Sequence, residues 1–199
     1  MRARDFRQQA WSAMNGKWGT AALIAFIGSL ISGAAGSTGV GVILIGPLTF
    51  GLIVVAMNII KGDEIKLEQL FSGFNRFGDT VILSLLNAVF VFLWTLLFFI
   101  PGIIASYSYA MSYYILKDNP TLSPNEARKR SIEMMKGNKW RLFCLHFSFI
   151  GWHILGTLTF GILEFWIMPY QQAAEAAFYQ SLLPVADAVV PPAEQPAEA

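Results

Sequence analysis

The 199-residue chain contains one cysteine, two histidines and little charge. A single thiol, Cys144, excludes an internal disulfide and any metal site built from several cysteines. Only 14% of the residues are charged while 55% are apolar, a balance too poor in charge for an ordinary soluble domain. The formal net charge of +1 gives no reason to expect nucleic acid as a partner. We therefore expect a protein whose solvent is the lipid bilayer.

The motifs of common catalytic sites are also missing. The sequence contains no Gly-rich phosphate cradle, no Ser-His-Asp arrangement and no zinc-peptidase signature. The Met134-Met135 pair is better explained by packing than by metal binding. We accordingly expect a protein that is not an enzyme and that needs neither a metal nor a cofactor.

Residues 81–116 carry no formal charge over 36 positions. One helix of that length would extend about 54 Å, whereas the hydrocarbon core of a bilayer is about 30 Å thick. The segment must therefore turn, and Pro101-Gly102 is the predicted bend between spans Val81–Ile100 and Ile103–Leu116.

The same argument predicts an all-α, polytopic membrane protein with six transmembrane helices in three hairpins. The other predicted spans are Trp18–Ala35, Val42–Ile60 and two within Leu142–Leu183 that are divided near Thr157–Gly161. Residues 1–183 would form a single transmembrane domain. Residues 184–199 are acidic and rich in proline and alanine, and we predict a disordered tail.

All fourteen lysines and arginines lie before the first span or between the predicted hairpins, and none lies at the three predicted bends. The positive-inside rule then places every basic segment, and both termini, on the cytoplasmic side. The predicted location is the inner membrane of a bacterial cell.

Three short amphipathic segments precede the hairpins, and each predicts an interfacial helix on the cytoplasmic side. The first covers residues 2–17. The second, residues 61–80, has Asp63 as a candidate N-cap, and its apolar positions at i, i+3, i+4 and i+7 are Leu67, Leu70, Phe71 and Phe74. The third begins with Ser123 as N-cap, Pro124 at the first helical position and Glu126 three residues on, and it ends at Gly137.

These segments also resemble one another. Each has two apolar residues, a polar residue and a glycine, followed by a base and an aromatic residue: AMNGKW, LFSG before RF, and MMKGNKW. This predicts a threefold repeat over about residues 3–62, 63–120 and 121–183. The alternative is that these residue types are common wherever a helix enters a membrane, so that the match does not require a structural repeat.

A basic cluster follows the third N-cap. Arg128, Lys129 and Arg130, together with Lys139 and Arg141, could bind the headgroups of anionic phospholipids, because each base near an anionic surface gains about 1 kcal/mol. The alternative is that these bases only fix the orientation of the protein in the membrane and bind no particular headgroup.

The last predicted hairpin carries four ionisable residues. His146 and His153 are seven apart, and Glu164 and Glu175 are eleven apart, so each pair lies on one helical face. If the bend lies near residue 160, His146 is level with Glu175 and His153 with Glu164. Ionisable groups inside a membrane are typical of pathways for ions, protons or substrates, or of paired structural sites. The hypothesis is a proton-responsive polar seam, and the alternative is ordinary packing near the interfaces.

The fourth predicted span stacks Ser108 on Ser112 and Tyr109 on Tyr113 at i, i+4. These hydroxyls cannot all face lipid without cost. Tyr109 and Ser112 are therefore candidates for lining a ligand site, with helix packing as the alternative.

Three long motifs in a fixed order resemble a known family: IPGIIASYSYAMSYYILKDNP, SPNEARKRSIEMMKGNKWRLFCLHFSFIGW and LTFGILEFWIMPYQQAAEAAFY. The family is the bacterial integral membrane domain of unknown function 975, and the resemblance covers roughly residues 5–183. It is distantly similar to the membrane domain of some glycerophosphodiester phosphodiesterases, but no catalytic residues of those enzymes are visible here. The resemblance implies a helical membrane domain and no assigned activity.

These observations lead to two expectations about function. The first is a membrane accessory or scaffold protein that engages lipid or a partner membrane protein. The second is a small transporter or permeability component for a small or lipid-like solute.

Overall fold

The computed structural model describes residues 3–36, 41–97, 99–159 and 161–183. These residues are helical apart from short turns, and none of them lies in a strand. The helices are α1 (Ala3–Ala13), α2 (Trp18–Gly36), α3 (Gly41–Lys61), a 3-10 helix (Leu67–Arg76), α4 (Phe77–Leu97), α5 (Phe99–Tyr109), α6 (Ser112–Asp118), α7 (Pro124–Met134), α8 (Lys139–Phe147), α9 (Ile150–Leu158) and α10 (Glu164–Leu182). The predicted tail, residues 184–199, and part of the predicted first bend, residues 37–40, lie outside the described residues.

The prediction of an all-α protein is confirmed. Two helical segments, Ile43–Lys61 and Leu67–Leu96, are long and apolar enough to cross a bilayer, and Trp18–Gly33 is a shorter apolar helix. Large apolar side chains also lie on the outside of the molecule; Leu96 and Leu158, for example, are each 73% exposed. Such exposed apolar surface is typical of proteins that contact a membrane or a partner.

Helix α7 begins as its sequence predicts. The Ser123 hydroxyl accepts a hydrogen bond from the Glu126 backbone N–H, and the Glu126 carboxylate accepts from the Ser123 backbone N–H at 2.9 Å. Pro124 occupies the first turn, and Gly137 has the predicted left-handed conformation with φ +78°. The Ser123 hydroxyl also donates to the Glu126 carboxylate at 2.7 Å, and this bond, together with the one from the Ser123 backbone N–H, lowers the pKa of Glu126.

The prediction of Asp63 as an N-cap is wrong. The 3-10 helix begins at Leu67, four residues later, with Lys66 in the N-cap position and no side-chain hydrogen bond. This helix lies across α3, and of its predicted apolar face only Leu70 is buried, whereas Phe71 and Phe74 are exposed. A 3-10 helix has three residues per turn, so the periodicity of an α-helix assigns its faces incorrectly.

The bend at Pro101-Gly102 is also predicted at the wrong place. Helix α4 ends at Leu97 and α5 starts at Phe99, which puts Pro101 in the first turn of α5, a position that tolerates proline. Gly102 lies against Thr95 of α4, where any side chain would collide with the threonine. The glycine therefore serves the close packing of α4 on α5 and does not form the bend.

The predicted division of the last hairpin is confirmed. Helix α9 ends at Leu158 and α10 starts at Glu164, and Gly161 between them has φ +83°. Helix α10 packs against α1, α2, α3, α8 and α9, and its alanines at 173, 174, 176 and 177 are buried. Small side chains allow neighbouring helices to approach closely, so α10 is the centre of the bundle.

Two helix breaks appear that the sequence analysis does not predict. The predicted span Ile103–Leu116 is interrupted at Ala110-Met111, which ends the expected i, i+4 stacking of its serines and tyrosines. At this break the Ser131 hydroxyl of α7 donates to the Ser108 carbonyl at 2.8 Å and accepts from the Met111 N–H at 3.2 Å. One buried hydroxyl thus satisfies two backbone groups that the break leaves unpaired.

The second break separates α8 from α9 at Ser148-Phe149. The Trp152 N–H donates to the Phe149 carbonyl, so the Ser148 carbonyl has no helical partner. Arg7 of α1 donates to that carbonyl through Nη1 at 3.0 Å. Arg7 of α1 therefore supplies the missing hydrogen-bond partner at this break, as Ser131 of α7 does at the break between α5 and α6.

The threefold repeat stays a prediction. Gly16 and Gly137 have φ +77° and +78°, directly before α2 and α8. Gly73 has no positive φ and lies within the 3-10 helix, packed on Pro47. The three matching glycines thus do not share one conformation.

Candidate functional site: a polar seam beside an open cavity

The last hairpin brings its four ionisable residues together in the two predicted pairs. His146 Nε2 lies 2.9 Å from Glu175 Oε1, and His153 Nδ1 lies 3.1 Å from both carboxylate oxygens of Glu164. The pairs form because α8 and α9 run antiparallel to α10 around the turn at Gly161. All four side chains are partly buried.

Two further residues join the pairs into one series. The side-chain amide of Gln171 lies between them: its Oε1 is 2.8 Å from His153 Nε2, and its Nε2 donates to Glu175 Oε1 at 3.1 Å. The Tyr107 hydroxyl of α5 lies 3.3 Å from His146 Nδ1. We call this series the polar seam; its members are Glu164, His153, Gln171, Glu175, His146 and Tyr107.

The sequence analysis missed Gln171 and Tyr107 for different reasons. Gln171 stands seven residues after Glu164 and four before Glu175, so helical spacing already places it on their face of α10. Tyr107 comes from α5, distant in the chain, and no local pattern indicates that it meets His146.

The polarity of these hydrogen bonds determines where the protons lie when both glutamates are ionised. A carboxylate only accepts, so Gln171 donates to Glu175 and turns its own Oε1 towards His153. Both ring nitrogens of His153 then face acceptors and both carry protons. His146 Nε2 faces the Glu175 carboxylate and carries a proton, whereas Nδ1 can either accept from the Tyr107 hydroxyl or donate to it.

With both glutamates ionised and His146 singly protonated, the seam carries one net negative charge. One imidazolium, at His153, offsets one of two carboxylates, and moving its proton to Glu164 leaves the sum unchanged. In that state the unbalanced charge lies on Glu175, whose two hydrogen bonds both go to Oε1. Among the described residues, no lysine or arginine forms an ion pair with Glu175.

Glu175 also borders an open cavity of about 670 Å³ between α3, α4, α5, α6 and α10. Tyr109, one of the predicted ligand-lining residues, lines it as well. Ser112 and His153 do not; the Ser112 hydroxyl donates to the Tyr109 carbonyl at 2.7 Å, next to the break in the helix. The cavity and the seam thus meet at Glu175.

The basic cluster divides in the structure. Arg128 is only 8% exposed: its guanidinium lies 3.9 Å from the centroid of the Phe90 ring, near Tyr109, and donates to the Asn125 side chain. This is cation–π packing of α7 on α4, so Arg128 is not available to a headgroup and its inclusion in the lipid cluster is corrected.

The other four bases are placed differently from Arg128. Lys129 and Arg130 are exposed, and Lys139 is half-exposed beside Trp140, which is 71% exposed. Arg141 lies close to the rings of Phe6 and Phe178 and donates to Asn138. The surface formed by Lys129, Arg130, Lys139 and Trp140 remains a candidate lipid-headgroup site, and we call it the basic surface.

Nothing in the described ranges forms a recognisable metal centre, because no three His, Cys, Asp or Glu side chains there are grouped to hold an ion. A second cavity, of about 400 Å³, is lined by Trp11, Trp18, Trp152, Trp166 and Tyr170 with two aliphatic residues. The described residues of its wall include no charged side chain, so the polar seam beside the larger cavity is the chemically distinctive site.

The sequence model of one family, described as protein of unknown function (DUF975), matches residues 1–104 and again residues 95–185. The two matches together cover nearly the whole chain. The chain belongs to the DUF975 family. No curated protein and no solved structure matches it. This family description assigns no function, so the function of this member is inferred from its seam, its cavity and its basic surface.

Proposed function

We propose that this DUF975 protein is a non-enzymatic, multi-pass protein of the bacterial inner membrane that engages anionic lipid or a partner membrane protein. In this proposal six spans form three hairpins, with both termini in the cytoplasm. The spans are α2, α3, α4, α5 with α6, α8 with α9, and α10. The three short segments α1, the 3-10 helix and α7 then lie on the cytoplasmic side.

The lengths of the helices support this topology. Counted with the two residues at each break, α5 with α6 covers Phe99–Asp118 and α8 with α9 covers Lys139–Leu158, 20 residues each, which is enough to cross about 30 Å of hydrocarbon. A broken helix is tolerated inside a membrane when its free backbone groups have partners within the protein. Ser131 and Arg7 supply such partners at the two breaks.

The basic surface is the observation that carries the proposed lipid engagement. Lys129 and Arg130 project from α7, and neither forms an ion pair with a described residue. Lys139 and Trp140 follow at the start of α8, and a base beside an exposed tryptophan is typical of the membrane interface. Free cations at that level attract anionic headgroups.

Replacing Lys129 and Arg130 together with glutamine should weaken retention of anionic lipid. Each exposed base contributes about 1 kcal/mol near an anionic surface, so the double variant should lose roughly tenfold or more in apparent affinity. Native mass spectrometry of the detergent-solubilised protein with added phosphatidylglycerol measures this directly.

The matched control removes the same charge elsewhere, by replacing exposed Arg4 and Lys66 with glutamine. We expect a smaller loss from this variant. Equal losses from the two double variants would show that lipid retention depends only on the net charge of the protein. Unchanged retention in the first variant would contradict the proposed basic surface.

The polar seam favours a second candidate function, a small transporter or permeability component. A continuous series of hydrogen bonds from Glu164 to Tyr107 provides groups that can bind and release protons along the last hairpin. Imidazoles change charge between about pH 5 and 8, so movement of a solute along the seam would depend on pH in that range.

His153→Ala should abolish a pH-dependent proton flux in proteoliposomes, because it removes the group between Glu164 and Gln171. The flux is measured with a pH-sensitive dye trapped inside the vesicles, and Cys144→Ala on α8 is the control that leaves the seam intact. A flux that survives in His153→Ala, or no flux in the unmodified protein, would remove this candidate.

A further inference from the structure

We propose that the 670 Å³ cavity binds the ammonium head of a single-chain lipophilic amine, with Glu175 as its counter-ion. The inference rests on the membrane location in the proposed function, because the ligand is taken to enter from the bilayer. It does not depend on the basic surface, which lies on α7 and α8 and contributes no residue to the cavity.

The lining of the cavity has the chemistry of a cation site. Glu175 is its carboxylate, and six other lining residues carry hydroxyls: Thr49, Thr95, Ser106, Tyr109, Tyr113 and Tyr114. No lysine, arginine or histidine is among the described lining residues. An anionic head would therefore meet a carboxylate and hydroxyls without any cation, whereas a cationic head would meet its complement.

The charge of the seam favours the same ligand. When Glu175 is ionised and His146 is singly protonated, the negative charge of Glu175 is not offset, and both of its hydrogen bonds, from His146 and Gln171, engage Oε1. Oε2 accepts no hydrogen bond from a described residue, and it is not among the buried unpaired atoms. A carboxylate in a membrane needs a proton or a cation, so an ammonium at Oε2 would neutralise the seam.

The shape of the cavity indicates that the cation is amphipathic. Apolar side chains, including Ile53, Val91 and Phe92, make up much of the wall, and Phe92 is 66% exposed at the edge. The volume lies within the range of small-molecule sites. An alkyl chain can lie along α4 and extend into the bilayer while the head reaches Glu175.

Asn87 indicates a head with N–H donors. The side-chain oxygen of Asn87, a lining residue, is buried without a hydrogen-bond partner. A primary ammonium that reaches both side chains can donate to this oxygen and to Glu175, which a quaternary ammonium cannot do.

A lipid headgroup with the same ammonium fits less well. Phosphatidylethanolamine carries a phosphate next to its amine, and the described lining offers that phosphate no cation. We therefore assign the site to a single-chain amine, and phosphatidylethanolamine serves as a competitor in the test.

The test measures binding of dodecylamine to the full-length protein in dodecyl maltoside micelles at pH 8, by native mass spectrometry. We expect dodecylamine to bind at least tenfold more tightly than dodecyltrimethylammonium, and dodecanoate not to bind. Glu175→Gln should weaken dodecylamine binding at least tenfold. Glu68→Gln, which removes an exposed carboxylate of the 3-10 helix outside both the seam and the cavity, should bind like the unmodified protein.

Asn87→Leu keeps the test decisive if Glu175→Gln does not fold. It removes an unsatisfied buried oxygen, so it should be as stable as the unmodified protein and still bind dodecylamine several-fold more weakly. The double variant of Lys129 and Arg130 should retain dodecylamine fully, which separates this site from the basic surface. Equal binding by Glu175→Gln and the unmodified protein, binding of dodecanoate, or displacement by equimolar phosphatidylethanolamine would overturn the proposal.

Discussion

Gly51→Ala should prevent the bundle from folding correctly, or lower its free energy of unfolding by about 3 kcal/mol or more. Gly51 lies where α3 crosses the 3-10 helix, and a Cβ there would collide with the Leu70 carbonyl oxygen and lie 2.5 Å from the carbonyl carbon. These are backbone atoms, so no change of rotamer relieves the collision. The two helices would have to separate and open the core around Leu70, which is fully buried.

The reciprocal contact and a matched control make this prediction specific. Gly73 of the 3-10 helix meets the backbone of Pro47, so Gly73→Ala should be nearly as damaging. Gly33 lies within α2 with no atom near its would-be Cβ, so Gly33→Ala should keep or raise stability, by up to about 1 kcal/mol. Thermal unfolding in detergent compares all three. A Gly51→Ala protein as stable as Gly33→Ala would contradict this helix crossing.

Ser131→Ala should lower the free energy of unfolding by about 2 kcal/mol or more. The substitution removes the hydroxyl that pairs the Ser108 carbonyl and the Met111 N–H at the break between α5 and α6. Each buried backbone group left without a partner costs about 1–3 kcal/mol. No water can replace the hydroxyl easily, because Ser131 is fully buried.

The control for this prediction is Ser106→Ala on α5. The Ser106 hydroxyl is exposed and donates only to the Ile103 carbonyl of its own helix, so its loss should change stability by less than about 0.5 kcal/mol. Chemical unfolding in mixed micelles measures both variants. Similar stabilities for the two would mean that Ser131 does not hold the break together.

The parts of this fold that follow from local chemistry are predictable from the sequence. The capping box of Ser123 and Glu126 involves residues three apart, and the facing of His146 with Glu175 follows from helical periodicity once the turn near Gly161 is assumed. Gln171 could have been found by the same rule. The bends between hydrophobic runs follow from the thickness of a bilayer, although Pro101 and Gly102 lie within α5 and do not form one.

The parts that depend on distant segments are not predictable in this way. Arg128 reads as one of three consecutive bases, and only the approach of Phe90 from α4 makes it a buried residue. The helix breaks at Met111 and Phe149 require Ser131 and Arg7, which are distant in sequence. Tyr107 reaches the seam from α5 for the same reason, so its role becomes visible only in three dimensions.

The topology of the last hairpin is the central claim, because the seam, the cavity and the basic surface all depend on it. The direct measurement labels single cysteines with a membrane-impermeant maleimide in intact cells, in a Cys144→Ala background. Thr159→Cys, in the turn between α9 and α10, should react from outside, whereas Lys136→Cys, after α7, should react only when the membrane is opened. Labelling of both positions from the same side would show that α8 and α9 do not cross the bilayer, and it would contradict the account.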